Sequence, residues 1–191
     1  MQNEHARGSF KELLQEHRPS KLLEIGTFHG GLAILLRDVL DEVGLSDTTI
    51  RTYDTADQKF LKPRVENEKL NIDVQTKNLF SYSYLEWKNE ETKQEIKNFV
   101  ESGSPTMVLC DGGCKRCEFN LIGPLLRKGD TILAHDYAPN MEFFEREMKE
   151  KVWDWMEIQD ENINKTAQEH SLVPYKQELM QKAAWLCRIK S

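Results

Sequence analysis

Short apolar runs recur along the chain, and most are followed by a stretch with helical spacing. Lys21–Ile25, Thr48–Tyr53, Ile72–Thr76, Thr106–Cys110 and Thr131–Ala134 read as five strands. The fourth is apolar throughout, as expected of a strand covered on both faces. Ahead of them, Ser9-Phe10-Lys11-Glu12 has capping-box form, and Phe10, Leu13, Leu14 and His17 continue at helical spacing until Pro19. After the first strand, Leu32, Leu35, Leu36, Val39, Leu40 and Val43 share one helical face, with Gly44 as the stop. The segment 57–70 contains Pro63 and predicts a broken helix. A second helix start at Ser83-Tyr84-Leu85-Glu86 predicts a helix to Glu101, stopped by Gly103 and Pro105. Residues 115–126 predict a helix made irregular by Gly123-Pro124, and 141–152 another. Asp154–Ile158 reads as a sixth strand and Ala183–Ile189 as a seventh, joined by a long polar link over 159–182.

Strands alternating with helices imply an α/β, Rossmann-like, doubly wound and mostly parallel sheet, with helices on both faces. We expect one domain over 1–191, with an N-terminal helix in 1–18 and a lid in 159–182. The loop after Asp136, the N-terminal helix and that lid are the expected walls of an acceptor pocket.

Composition narrows the class of partner. The charged fraction of 30% and hydrophobic fraction of 39% suit a soluble globular protein. No apolar run approaches the ~20 residues a membrane span needs, and the chain opens with no leader pattern, so the cytosol is the expected compartment and no membrane partner is expected. A net charge of −6, with scattered Lys and Arg, argues against a nucleic acid as partner. Cys110, Cys114, Cys117 and Cys187 form no secreted disulfide framework, and reduced thiols are expected.

Chemistry concentrates after the first strand. Glu24-Ile25-Gly26-Thr27-Phe28-His29-Gly30 has the spacing Glu-x-Gly-x-x-x-Gly, not Gly-x-Gly-x-x-Gly. A dinucleotide fingerprint needs its second glycine where the pyrophosphate approaches, and Phe28 would block that approach. This pattern resembles motif I of the class I S-adenosylmethionine (SAM)-dependent methyltransferases, closest to the small catechol-type and sugar-type O-methyltransferases. The resemblance covers about residues 20–140. It implies a seven-stranded sheet of order 3-2-1-4-5-7-6 with an antiparallel last strand. It implies SAM as cofactor, with Glu24, Gly26, Thr27, Phe28 and Gly30 shaping its pocket together with Asp111.

Asp54 closes the second strand, where a carboxylate can accept hydrogen bonds from both ribose hydroxyls. By resemblance, Asn78 and Leu79 border the adenine. Val108-Leu109-Cys110-Asp111-Gly112-Gly113-Cys114-Lys115 looks like motif IV, and Gly129–Tyr137, with His135-Asp136 at its end, like the next strand motif. Many metal-dependent members hold Mg²⁺ with the acids at these two positions, so Asp111 and Asp136 are the expected metal pair. The sequence departs from its relatives in two places. Cys114 stands where the sugar-type enzymes carry a basic histidine, and Lys115 lies one residue beyond the catechol-type lysine. The acid beside the second Asp is replaced by His135 or Tyr137. Lys115 or His135 is the expected base, with Asp111 beside the reacting groups; a strand-end histidine is more often a satisfied structural residue.

Cys110-x-x-x-Cys114-x-x-Cys117 has the spacing of a radical-SAM cluster, and three thiols with His135 could hold zinc. Against a cluster, Cys110 would end a buried strand, where cysteine acts as a small hydrophobe. Trp87, Trp153, Trp155 and Trp185 read as core or lid packing. The expected activity is SAM-dependent methylation of an oxygen on a small-molecule or sugar-like acceptor, assisted by a divalent metal. A catalytically impaired SAM-binding module is the alternative, and a nucleotide-sugar or NAD enzyme on a similar fold a third. A homodimer stands open beside a monomer.

Overall fold

A computed structural model describes residues 5–191; residues 1–4, part of the expected N-terminal helix segment, lie outside it. Seven strands form one sheet in the order β3-β2-β1-β4-β5-β7-β6. They are β1 (Lys21–Ile25), β2 (Thr49–Asp54), β3 (Ile72–Thr76), β4 (Thr106–Cys110), β5 (Thr131–Ala134), β6 (Leu172–Pro174) and β7 (Leu186–Lys190). The first five pair in parallel, and β7 runs antiparallel to both β5 and β6.

Side chains alternate between two cores across the strands. Leu22 of β1 and Met107 and Leu109 of β4 face one side; Leu23, Ile25, Val108 and Cys110 face the other. That two-sided demand is why the central strand β4 reads as a nearly unbroken apolar run. The first core is closed by α1 (Ala6–His17), α2 (Gly31–Glu42), α3 (Leu61–Glu68) and α8 (Gln177–Gln181). The second is closed by α4 (Glu90–Glu101), α5 (Lys115–Ile122) and α7 (Asp160–Glu169). Trp185 sits fully buried in the first, edge-on to Phe10 at 5.5 Å. No described helix is long and apolar enough to cross a membrane.

Several expected boundaries move, each for a local reason. Ser9 lies inside α1, buried, its hydroxyl donating to the Leu179 carbonyl, so it caps nothing. Pro63 falls in the first turn of α3, where its missing N–H costs no helical bond, and the helix is unbroken. Helix α4 starts at Asn89, whose side chain accepts the Thr92 N–H; Ser83–Glu86 belongs to a loop with Tyr84 at φ +58°. The 141–152 helix shrinks to α6 (Met141–Phe143) and one widened turn, Phe144–Met148. Asp154–Ile158 pairs only through a single bridge from Ile158 to Tyr137, and the true β6 is a short edge strand within the segment read as a link. The reduced state expected of all four cysteines is corrected: Cys114 and Cys117 form a disulfide, while Cys110 and Cys187 are free and buried. With two of its three thiols joined, the cluster or zinc spacing is not a ligand set here.

The order of strands reverses between β1 and β4, and their carboxyl ends flank the crevice that such sheets use for ligands. Gly26 ends β1 at φ +94°, and a Cβ there would sit 2.3 Å from the Asp111 carbonyl oxygen. The two loops touch backbone to backbone. Gly30, at φ +78°, would instead meet the Leu61 side chain at 2.8 Å. Gly26→Ala should therefore cost more than about 2 kcal/mol in denaturant unfolding, and more than Gly30→Ala, whose obstacle can rotate away. Equal losses at the two positions would contradict the contact.

Candidate functional site

A cleft of about 1000 Å³ opens above β1, β2, β4 and β5. Gly26, Thr27, Phe28, Asp54, Asn78, Leu79, Asp111, Lys115, His135 and Asp136 all line it, as their placement at strand ends requires. Two sequence candidates do not. Gly30 packs against Leu61 at the start of α2, and Glu24 is fully buried beneath the glycine turn. Nor do α1 or residues 159–182 border the cleft: α7 packs on α5 and α8 on α1. From the segment after Asp136, Trp153 and Trp155 reach it.

The β2 side is held by backbone donors. The N–H groups of Phe28 and Ala56 donate to the two oxygens of Asp54 at 2.8 and 3.0 Å. That carboxylate is thereby fixed with lone pairs to spare. Tyr53, Leu79 and Phe80 add apolar wall, and Lys77 pairs with Glu95 at 2.5 Å. Beneath the turn, the Thr27 and Thr52 hydroxyls are 2.6 Å apart, and Thr52 donates to Glu24. The second oxygen of Glu24 is buried with no hydrogen-bond partner. Burial pushes its carboxyl up to about 8, against the Thr52 hydrogen bond and with the charges of Asp111 and Asp54 adding to the rise. At neutral pH Glu24 is protonated.

The β4–β5 side is a charged knot. His135 Nδ1 lies 3.1 Å from Asp111 Oδ1 and 3.3 Å from Asp136 Oδ1. Facing two carboxylates, Nδ1 is placed to donate to them; Nε2 is buried without a partner. The imidazole is bracketed by Trp153 and Trp185, each 4.8 Å between centroids. Trp153 Nε1 donates to Asp136 Oδ1 at 2.7 Å. Lys115 Nζ bridges Asp136 Oδ2 at 2.8 Å and Glu157 Oε2 at 2.9 Å. Burial alone would lower the Lys115 value, but the Asp136 hydrogen bond and charge, with Glu157, raise it well above that of a free lysine. The two carboxylates favour its ammonium form. Asp136 itself adopts φ +57°, an uncommon conformation for a non-glycine residue and one enriched at functional sites.

The loop between β4 and α5 is anchored by Glu118. Its carboxylate, wholly buried, accepts N–H bonds from Gly112 and Cys114, both at 3.1 Å. Burial raises it to about 7, opposed by those two donors. Sequence reasoning missed Glu118, Glu157, Lys77 and Tyr84. An acid one turn after Cys114 signalled Glu118, since first-turn carboxylates favour free helix N–H groups. Glu157 left no such signal.

Comparison with known proteins matches no family model and no curated protein by sequence. Solved structures do match. The apo form of CmcI aligns at TM-score 0.62 and 15% identity, over 99% of this chain and 72% of that one. CmcI with Mg and SAM aligns at 0.61 and 16%, over 98% and 72%. An O-methyltransferase family protein from Burkholderia thailandensis aligns at 0.62 and 11%, over 97% of this chain and 55% of its own. This chain shares the Rossmann-like fold of these structures. The expected strand order and antiparallel β7 are those of that fold. Identities this low speak for the fold alone.

Glu24 supplies a pH test. Its folded value, about 8, lies above the ordinary 4.5, so its contribution is whole below 4.5 and is lost as pH rises through 8. Glu118 acts with the same sign up to about 7. Glu24→Gln, which keeps the neutral shape, should flatten the decline in stability between about pH 5.5 and pH 8.5 in urea titrations. An unchanged slope would show that Glu24 is ionised in the folded chain.

Proposed function

We propose that this chain is a SAM-dependent methyltransferase acting on an oxygen of a small-molecule or sugar-like acceptor. The observation that carries the reading is the convergence on one cleft of the backbone-fixed Asp54, the glycine turn and the Asp111–His135–Asp136 knot. Its volume is at the upper end for ligand sites, room for a cofactor and a small acceptor together. SAM, when bound, supplies an electrophilic methyl group on a sulfonium.

Asp54 holds the ribose hydroxyls, Asn78 and Leu79 border the adenine, and Gly26, Thr27 and Phe28 shape the methionine side. Asp111, the most exposed of the three knot residues at 18%, meets the acceptor hydroxyl and takes its proton at a carboxylate oxygen. His135 Nδ1–H backs that carboxylate, and Lys115, as an ammonium, holds Asp136 and Glu157 in position. Trp153 and Trp155 exclude water from the acceptor side.

The knot also fits a divalent cation. One ligand atom from each of Asp111, His135 and Asp136 lies within 4.8 Å of the others, and two carboxylates with one imidazole, once Nδ1 gives up its proton to become the ligand, suit a small hard or borderline ion. Such an ion, when bound, would lower the pKa of the acceptor hydroxyl. A catalytically impaired SAM-binding module is supported by one observation, the double ion pairing of Lys115, which favours its ammonium form over a base.

Asp54→Ala should weaken SAM binding by about 10- to 100-fold in calorimetry, the range of a lost charge-assisted hydrogen bond, with the circular dichroism unchanged. Undiminished affinity in a folded variant would remove Asp54 from the pocket. EDTA should spare SAM binding and abolish S-adenosylhomocysteine release across a panel of phenol, carboxylate and sugar acceptors, with Mg²⁺ restoring it. Turnover indifferent to EDTA would make the knot metal-free, and SAM binding with no release under any condition would favour the module.

A further inference from the structure

The wall of the cleft carries a covalent link that methyl transfer does not use. Cys114 and Cys117 are joined across Lys115 and Arg116, with Cα atoms 5.3 Å apart. Cys114 is the N-cap of α5 and Cys117 its third residue. Three groups that line the cleft hang from this single stapled turn. Gly113 sits beside the Tyr84 ring, Lys115 bridges Asp136 and Glu157, and Glu118 gathers the N–H groups of Gly112 and Cys114. The two sulfur-bearing residues differ in access: Cys114 is half-buried and Cys117 buried. The free thiols of Cys110 and Cys187 are fully enclosed in the two cores.

We propose that Cys114 and Cys117 are a reducible disulfide–dithiol pair, whose oxidised form fixes Lys115 and the 112–114 loop against the cleft and whose reduction by a dithiol releases them. A thiolate of the reductant attacks the accessible Cys114 sulfur. The Cys114–Cys117 bond breaks, and the electron pair leaves with Cys117 as a thiolate, which takes up a proton. The second thiolate of the reductant then attacks its own sulfur in the mixed disulfide and expels Cys114, which is protonated in turn. Two electrons and two protons pass to the protein, and the reductant leaves as its own disulfide. Two features favour this order of events. The leaving sulfur lies in the first turn of α5, where the positive end of the helix dipole stabilises a thiolate, and the attacked Cys114 is the less buried of the two. The consequence for methyl transfer rests on the reading of the cleft given above; the exchange itself does not.

The test uses the whole chain equilibrated with glutathione disulfide or with dithiothreitol, then alkylated with iodoacetamide and weighed. Dithiothreitol should add two labels, on Cys114 and Cys117, while Cys110 and Cys187 stay protected. Amide hydrogen exchange over 112–118 should rise about five-fold with the remaining strands unchanged, and Cys117→Ser should show the same rise without reductant. Circular dichroism should not change. Labelling of both cysteines in the glutathione-disulfide sample, reduction that leaves exchange over 112–118 unaltered, or reduction that unfolds the chain would each overturn the proposal. None of these readouts involves SAM, so their failure is separate from failure of the methyltransferase reading.

Discussion

The cleft exists because β1 and β4 can end within touching distance. Gly26 lets the turn after β1 rest on the Asp111–Gly112 backbone, a contact that any Cβ would break. Its N–H bonds the Tyr53 carbonyl, and the Asp111 N–H bonds that of Ile25, so the three strand ends stay in register as the loops depart. Asp54 and Asp111 then stand on opposite walls of one hollow. Every chemical role assigned here depends on that apposition.

Around it the protein pairs apolar support with charge held in reserve. A protonated Glu24 beneath the turn and a buried Glu118 behind the β4 loop fasten backbone N–H and hydroxyl groups. The exposed carboxylates are left to face the ligand space. On the β5 side, Lys115, His135 and Trp153 all converge on Asp136. Such a network fixes side-chain positions before a ligand arrives, which is how a site lowers the cost of binding.

Much of this was readable from residue order, and the exceptions have physical causes. β1, β3, β4 and β5 fell where their apolar positions placed them, and β2 within a residue, because β1, β4 and β5 are buried on both faces and the short alternation of β3 ends at a turn. Strand-end acids were visible for the same reason: where the run stops, the sheet's carboxyl edge begins. β6 was misplaced because Asp154–Ile158 mixes polar and apolar residues like a strand yet pairs only at Ile158 with Tyr137, whereas Leu172–Pro174 buries only Leu172. The start of α4 was misread because Ser83–Glu86 mimics a cap; Asn89 wins by its own hydrogen bond. Glu24 matched a motif, and its burial beneath the turn, out of direct reach of the cleft, is something no spacing reveals. The Cys114–Cys117 link was missed because compartment, not geometry, guided the expectation.

A crystal of the protein grown with S-adenosylhomocysteine and Mg²⁺ tests the central claim most directly. The account predicts an adenosyl group between the Gly26 turn and Asp111, with its ribose on Asp54 and its base beside Leu79. A cleft that stays closed by its own side chains at saturating ligand, or that takes a nicotinamide dinucleotide in its place, would contradict it.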